Sequence, residues 1–251
     1  MLSGKYTHQT VFATHLTSLH YRQANVYADG TIIESVDEFE PETIAAAREW
    51  YEGILGKKII LVGPQLPDYF FADEPTTALK KSSTSTKISD VIEFMNKAHR
   101  THGPKSVLYI SFGTLFYPFL FPSHINTLIN TLLETGTPFV FSRAPMTYAP
   151  IPSELENKTQ ESGLGLLVDW VPQQELLAHP ALMAFLTHGG ANSMFESLTL
   201  GVVNVIWPFM ADQPQHAAFL EQKVSLYTLF YMILRVSIFH YHLCSWILLL
   251  S

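Results

Sequence analysis

From Ser106 onward the chain alternates between short unbroken apolar runs and stretches in which apolar residues recur every three or four positions. SVLYISFGT, PFVFSR, LGLLVDW, LMAFLTH and VVNVIWP have the length and composition of strands buried on both faces, as in a parallel sheet. Between them, SHINTLINTLLETG places Ile125, Leu128, Ile129, Leu132 and Leu133 at i, i+3, i+4, i+7 and i+8. That spacing predicts an amphipathic helix, with Ser123 able to cap it and Gly136 able to end it. PQQELLAHP and NSMFESLTLG predict two further helices, joined to their neighbours by a few residues each. The alternation predicts an α/β domain built on a doubly wound parallel sheet. No repeat of fixed period and no heptad series interrupts it.

Upstream, EPETIAAAREWYEGILG predicts a helix with acidic residues in its first turn, Arg48 later and Gly53 or Gly56 at its end. KIILVGP predicts a short strand, and SDVIEFMNKAHRTHGPK a short helix. From Gln65 to about Thr86 the chain is rich in Pro, Ser and Thr without a sustained period, so a domain boundary is expected there. Four segments follow: 1–64, a linker and lead-in helix over 65–103, the regular domain over 104–222, and an apolar tail over 223–251.

Composition narrows the function classes. Hydrophobic residues make up 47% of the 251 and charged residues only 15%, which argues against a solvated disordered chain. The formal charge is -7, giving no electrostatic footprint for nucleic acid, so a phosphate ligand must be held locally. The one cysteine, Cys244, excludes an internal disulfide framework and a CxxC metal pair and fits a reducing, cytoplasmic compartment. The N-terminus lacks the basic segment and long apolar run of a signal peptide, so no N-terminal leader or anchor is expected.

The chemistry concentrates in LMAFLTHGGANSMFESLTLG, where a buried strand ends at Thr187 and a helix starts near Ala191 or Asn192. Gly189 and Gly190 let the backbone approach a ligand, and the helix start offers free N–H groups to an anion. Asn192 and Ser193 can donate from the first turn, and His188 sits beside the same anion. Glu196, one turn after Asn192, can accept from a vicinal diol such as a ribose. A nucleotide diphosphate fits this outline. The competing reading is plain turn chemistry, with Asn or Ser only capping the helix and His188 structural. GxxxxGK is absent, and the GLG at Gly163 to Gly165 does not extend to GxGxxG. Upstream, Trp170 lies just beyond a strand and Gln173 three residues later, suiting an aromatic face for a base and an amide to read its edge, or else a core tryptophan. Downstream, Asp212 and Gln213 can grip sugar hydroxyls, or else form an exposed helix cap before Pro214.

Taken together, WVPQQELLAHPALMAFLTHGGANSMFESLTLGVVNVIWPFMADQ resembles the signature box of the UDP-glycosyltransferases, and its span from Trp170 to Gln213 has the length of the plant version. SVLYISFGT resembles the family's strand and phosphate-touching loop, and KIILVGP its stretch before the interdomain linker. The resemblance implies a Rossmann-like domain forming the C-terminal, donor-binding half of a GT-B fold, with residues 1–64 a remnant of the acceptor domain. It implies that Trp170 stacks on uracil, Gln173 meets its edge and Glu196 takes the ribose hydroxyls. His188, Gly190, Asn192 and Ser193 would hold the diphosphate with Ser111, Gly113 and Thr114 nearby, and Asp212 and Gln213 would contact the transferred sugar. A terminal Gln is similar to glucose-using members, so UDP-glucose is the expected donor and a small-molecule or lipid hydroxyl the acceptor. The family is metal-independent, so neither metal nor cofactor is expected. Ala191 stands where plant members have tryptophan and Val203 where most have proline.

The family's catalytic histidine and its orienting aspartate belong to an N-terminal domain that most of this chain follows. His8, His15 and His20 stand in a different context, so none is assigned catalysis. The resemblance therefore implies a donor half that is inactive alone, or a binding subunit pairing with a separate acceptor-domain chain, similar to the split GlcNAc transferase of the dolichol pathway. After HAAFLEQ the tail leaves the family pattern. Lys223-Val224-Ser225 is what a splice-donor consensus encodes in frame, so residues from about Val224 read as translated intron. The rival reading is membrane contact through 224–251, where Arg235 splits the apolar run below the roughly 20 residues of a span.

Overall fold

A computed structural model describes residues 27–67, 86–113, 122–143 and 151–224. Thr114, the three N-terminal histidines, most of the linker and the tail from Ser225 lie outside the described residues. Two units separate between Gln65 and Leu66.

The described residues of the first unit form a strand–helix–strand motif. Strand β1 (Gly30–Ile33) pairs in parallel with β2 (Lys58–Leu61), and helix α1 (Pro41–Arg48) connects them. The helix continues as a π-helical turn over Glu49–Ile54, with Leu55 N–H donating to the Trp50 carbonyl, before Gly56 at φ 64° turns the chain into β2. The apolar positions divide unevenly: Ile44 and Ile59 are buried, whereas Ile32, Ile54 and Ile60 are exposed.

The described residues of the second unit form a five-stranded parallel sheet in the order β5-β4-β3-β6-β7. Its strands are β3 (Val107–Ser111), β4 (Phe139–Ser142), β5 (Gly165–Val168), β6 (Leu182–Thr187) and β7 (Val203–Ile206). The crossovers are α2 (Thr86–His102, leading into β3), α3 (Pro122–Glu134), α4 (Ser153–Ser162), α5 (Gln173–Leu177) and α6 (Ala191–Thr199), with α7 (Gln213–Val224) following β7. Period-two alternation sends side chains to opposite faces. Leu108 and Ile110 join Phe139 and Phe141 beneath Ile125, Leu128 and Leu132 of α3. Val107 and Tyr109 join Val140 and Phe185 beneath Val91 and Met95 of α2 and Leu176 of α5. The central strands β3 and β6 are buried along their whole length, as their unbroken apolar runs require.

Two local expectations are corrected, and one helix is added. Helix α3 begins at Pro122, so Ser123 lies inside its first turn and does not cap it, while Gly136 ends the turn region at φ 66°. Helix α2 spans 17 residues and is not short, because Val91, Met95 and Ala98 supply a continuous buried stripe. Helix α4 escapes sequence reading because only Leu155 and Thr159 are buried in an otherwise polar segment. Gly163 ends α4 at φ 66°, and a side chain at Gly165 would collide with Phe139 and Thr159, so this GLG serves a turn and close helix–strand packing. Among the described residues, no helix is long and apolar enough to cross a membrane.

Candidate functional site

The chain runs outward from β3 through β4 to β5, then crosses back to place β6 on the other side of β3. The strand order therefore reverses between the carboxyl ends of β3 and β6, which is where open parallel sheets make a ligand crevice. Ser111 and Thr187 are direct cross-strand partners, so the following segments Phe112–Gly113 and His188–Gly190 leave the sheet at the same level.

His188 lies between these loops. A Cβ built on Gly113 would stand 2.8 Å from His188 Nε2, and one on Gly190 would stand 2.5 Å from the same atom. The imidazole thus occupies a slot that exists because both walls lack side chains. His188 is 8% exposed, and burial pushes its pKa down to about 4 against the upward pull of the Asp212 carboxylate. The side chain is neutral at physiological pH and can donate a hydrogen bond to an anion without adding a full charge. Below pH 6.5 the unfolded state binds a proton that the folded state refuses. His188 therefore contributes stability that is complete above pH 6.5 and declines as pH falls towards 4, by about 3 kcal/mol in all. Denaturant unfolding measured from pH 7.5 to 4 should show a shallower decline for His188→Asn than for the parent; parallel curves would contradict the neutral, buried imidazole.

The turn then delivers α6. Gly189 takes φ 83° and is buried, and Gly190 is the N-cap in extended conformation with no side-chain cap. Neither Asn192 nor Ser193 caps the helix, so the first-turn N–H groups lack an internal side-chain acceptor. Asn192 is exposed, and Ser193 Oγ accepts from Gln173 Nε2 at 3.0 Å. The helix start is an open set of N–H donors beside a neutral histidine, suited to phosphate oxygens.

A second group of side chains forms one network beside it. Gln173 Nε2 donates to Glu196 Oε2 at 2.6 Å, and Gln174 Nε2 donates to Glu196 Oε1 at 2.9 Å. Tyr109 Oη donates to Gln173 Oε1 at 2.9 Å. Burial drives the Tyr109 phenol far above its ordinary pKa, so it remains a donor and fixes the Gln173 amide with its nitrogen towards the carboxylate. Stacking on Phe185, with ring centroids 4.6 Å apart, holds Tyr109 in place. Tyr109 and Gln174 were not anticipated from sequence. Tyr109 reads there as one apolar strand residue among several, and its partner is distant along the chain.

Trp170 follows β5 and is 60% exposed, so the alternative of a core tryptophan is overturned. The indole offers a free aromatic face, while Val171 behind it is buried and anchors the segment. Asp212 is exposed and occupies the N-cap position of α7, its carbonyl accepting from His216 N–H at 3.0 Å. Gln213 is 1% exposed, and its Oε1 accepts from the Phe209 and Met210 N–H groups at 2.8 and 3.1 Å. That side chain braces the loop after β7, in which Ala211 adopts φ 58°. Ser111 is buried, and its Oγ accepts from Gly113 N–H at 3.4 Å. Among the described residues, no group of three or more His, Cys, Asp or Glu side chains is arranged to hold a metal ion.

The family profile described as UDP-glucoronosyl and UDP-glucosyl transferase matches residues 80–238. A UDP-glycosyltransferase of Hericium erinaceus, eriJ, is 32% identical over 188 residues, covering 74% of this chain and 36% of that protein. The fold is similar to that of Os79 from O. sativa, solved in complex with UDP, with a TM-score of 0.64 and 28% identity over 84% of this chain and 43% of the other. It is also similar to Medicago truncatula UGT71G1, solved with UDP-glucose, with a TM-score of 0.59 and 26% identity over 80% of this chain and 40% of the other. The chain spans less than half the length of each of these proteins.

Proposed function

We propose, from the premise that this chain belongs to the UDP-glycosyltransferase family, that its residues 104–222 bind a UDP-hexose, with glucose the leading sugar. The observation that carries this reading is the Glu196 carboxylate, gripped by two glutamine amides on a helix whose start is uncapped, with an exposed Trp170 three residues before the first of those glutamines. In this reading Trp170 stacks on the uracil, Gln173 meets its edge, and Glu196 exchanges amide donors for the two ribose hydroxyls. His188, Asn192, Ser193 and the first-turn amides of α6 take the diphosphate, with Ser111 and Gly113 lining the opposite wall. Asp212 faces the sugar; Gln213 reaches it through its amide nitrogen, because its oxygen is committed to the loop. The complex of the Medicago truncatula protein with UDP-glucose supports glucose as the first sugar to test.

The reaction served is inverting attack of an acceptor hydroxyl on the anomeric carbon, which breaks the bond to the diphosphate and releases UDP. The helix start and His188 stabilise the charge that develops on the leaving diphosphate. The acceptor proton goes to a base outside residues 104–222, so this half binds donor without transferring it by itself.

Calorimetric titration of UDP, UDP-glucose and UDP-galactose into the full chain tests this reading. Binding of UDP, with UDP-glucose preferred over UDP-galactose, is the expected result. Trp170→Ala should weaken UDP by about tenfold or more, since base–aromatic stacking contributes about 1–3 kcal/mol, and should leave thermal unfolding unchanged because the indole is exposed. A cooperatively folded chain that binds no UDP would overturn the assignment.

A further inference from the structure

We propose that His216 is a positioning residue that clamps the Gly189–Gly190 peptide in the orientation that receives an anion; this rests on the donor-site reading above. His216 Nδ1 lies 2.8 Å from the Gly189 carbonyl oxygen. That oxygen can only accept, so Nδ1 carries the proton and donates. The peptide is planar and trans, so a carbonyl drawn towards α7 directs the Gly190 N–H to the opposite side. Reversing the plane would replace that N–H with a carbonyl oxygen, which repels a phosphate.

A peptide between two glycines is the least restricted kind of backbone, and Gly189 already holds φ 83°. Its orientation therefore needs an external partner. The Gly189 side is closed sterically, since a Cβ there would stand 2.7 Å from Ile206 Cγ2. The carbonyl side is held by His216, whose ring is mostly buried at 15% side-chain exposure. Asp212 Oδ2, one turn earlier at the N-cap of α7 and 3.7 Å from the same Nδ1, attracts the donating edge of the ring and keeps it at the turn. The glycine turn is thus tied to α7 as well as to the strand it leaves, and the residue presented as a sugar contact lies beside the clamp.

The test compares UDP with uridine on the full chain. Uridine meets only the Trp170, Gln173 and Glu196 region, whereas UDP also needs the glycine turn. His216→Ala should weaken UDP about tenfold, the loss expected for one backbone-orienting hydrogen bond, and leave uridine unchanged. His216→Asn places an amide nitrogen at the same distance from Cβ as Nδ1 and should restore UDP binding. His216→Gln, with its amide one carbon farther out, should not. Equal loss of uridine and UDP in His216→Ala, undiminished UDP binding in that variant, or failure of Asn to rescue would overturn the clamp. A folded parent that binds neither ligand would instead overturn the donor-site reading, and the clamp with it.

Discussion

Replacing Glu196 by alanine should reduce UDP affinity by about two orders of magnitude, because hydrogen bonds to a charged group are worth about 1.5–3 kcal/mol and the ribose is expected to make two. The carboxylate is also the common acceptor of Gln173 and Gln174. Its removal frees two amides that had a fixed direction, so the uracil edge and the ribose lose their partners together. Gln173 retains the Tyr109 and Ser193 contacts, and the side chains concerned are only partly buried, so the fold should survive. Glu196→Gln should fall between parent and alanine: it keeps one acceptor oxygen but sets an amide nitrogen against another. Calorimetry with UDP on all three proteins, beside thermal unfolding without ligand, checks the order. Equal affinity in parent and alanine variant would remove Glu196 from the site.

Gly190→Ala should damage the fold and the anion site together. The backbone there, φ -65° and ψ 145°, is one that alanine adopts without strain, so the effect isolates the collision with His188. The new Cβ would stand 2.5 Å from Nε2, and the ring cannot retreat because Gly113 walls its other side. Overpacking of this kind costs about 1–3 kcal/mol, and the expelled imidazole no longer faces the anion, so UDP binding should be lost along with stability. A second substitution, His188→Ala, empties the slot. The double variant should therefore be no less stable than His188→Ala alone, which denaturant unfolding of the four proteins in the cycle would show. Additive losses would mean that the slot is not where the damage occurs.

The elements legible from sequence were those whose pattern comes from burial alone. β3 and β6 are buried at every position and so appear as unbroken apolar runs, and α3 carries its stripe in full view. The box from Trp170 to Gln213 was legible because strand end, glycine pair and helix start adjoin in sequence. Its indole is exposed, which no local pattern could settle. What escaped was long-range or thinly apolar. Tyr109 and Gln173 meet across the sheet from segments far apart in the chain, and His216 reaches Gly189 from another helix. Gln174 resembles any polar residue opening a short helix until Glu196 is placed opposite it. Helix α4 buries too little to announce itself.

The central position of β3 has a consequence for the nascent chain. As the ribosome delivers the protein, β3 can pair with β4, and β4 with β5, soon after each emerges. The other side of β3 waits for β6, which arrives only after α4, β5 and α5 have been made. During that interval a largely apolar strand presents an unpaired backbone edge, the kind of surface that recruits other chains or a chaperone. The same junction later carries the glycine slot. The part of the molecule that would recognise the nucleotide is thus also the seam that closes late in synthesis, and slow delivery of residues 165–187 prolongs its exposure.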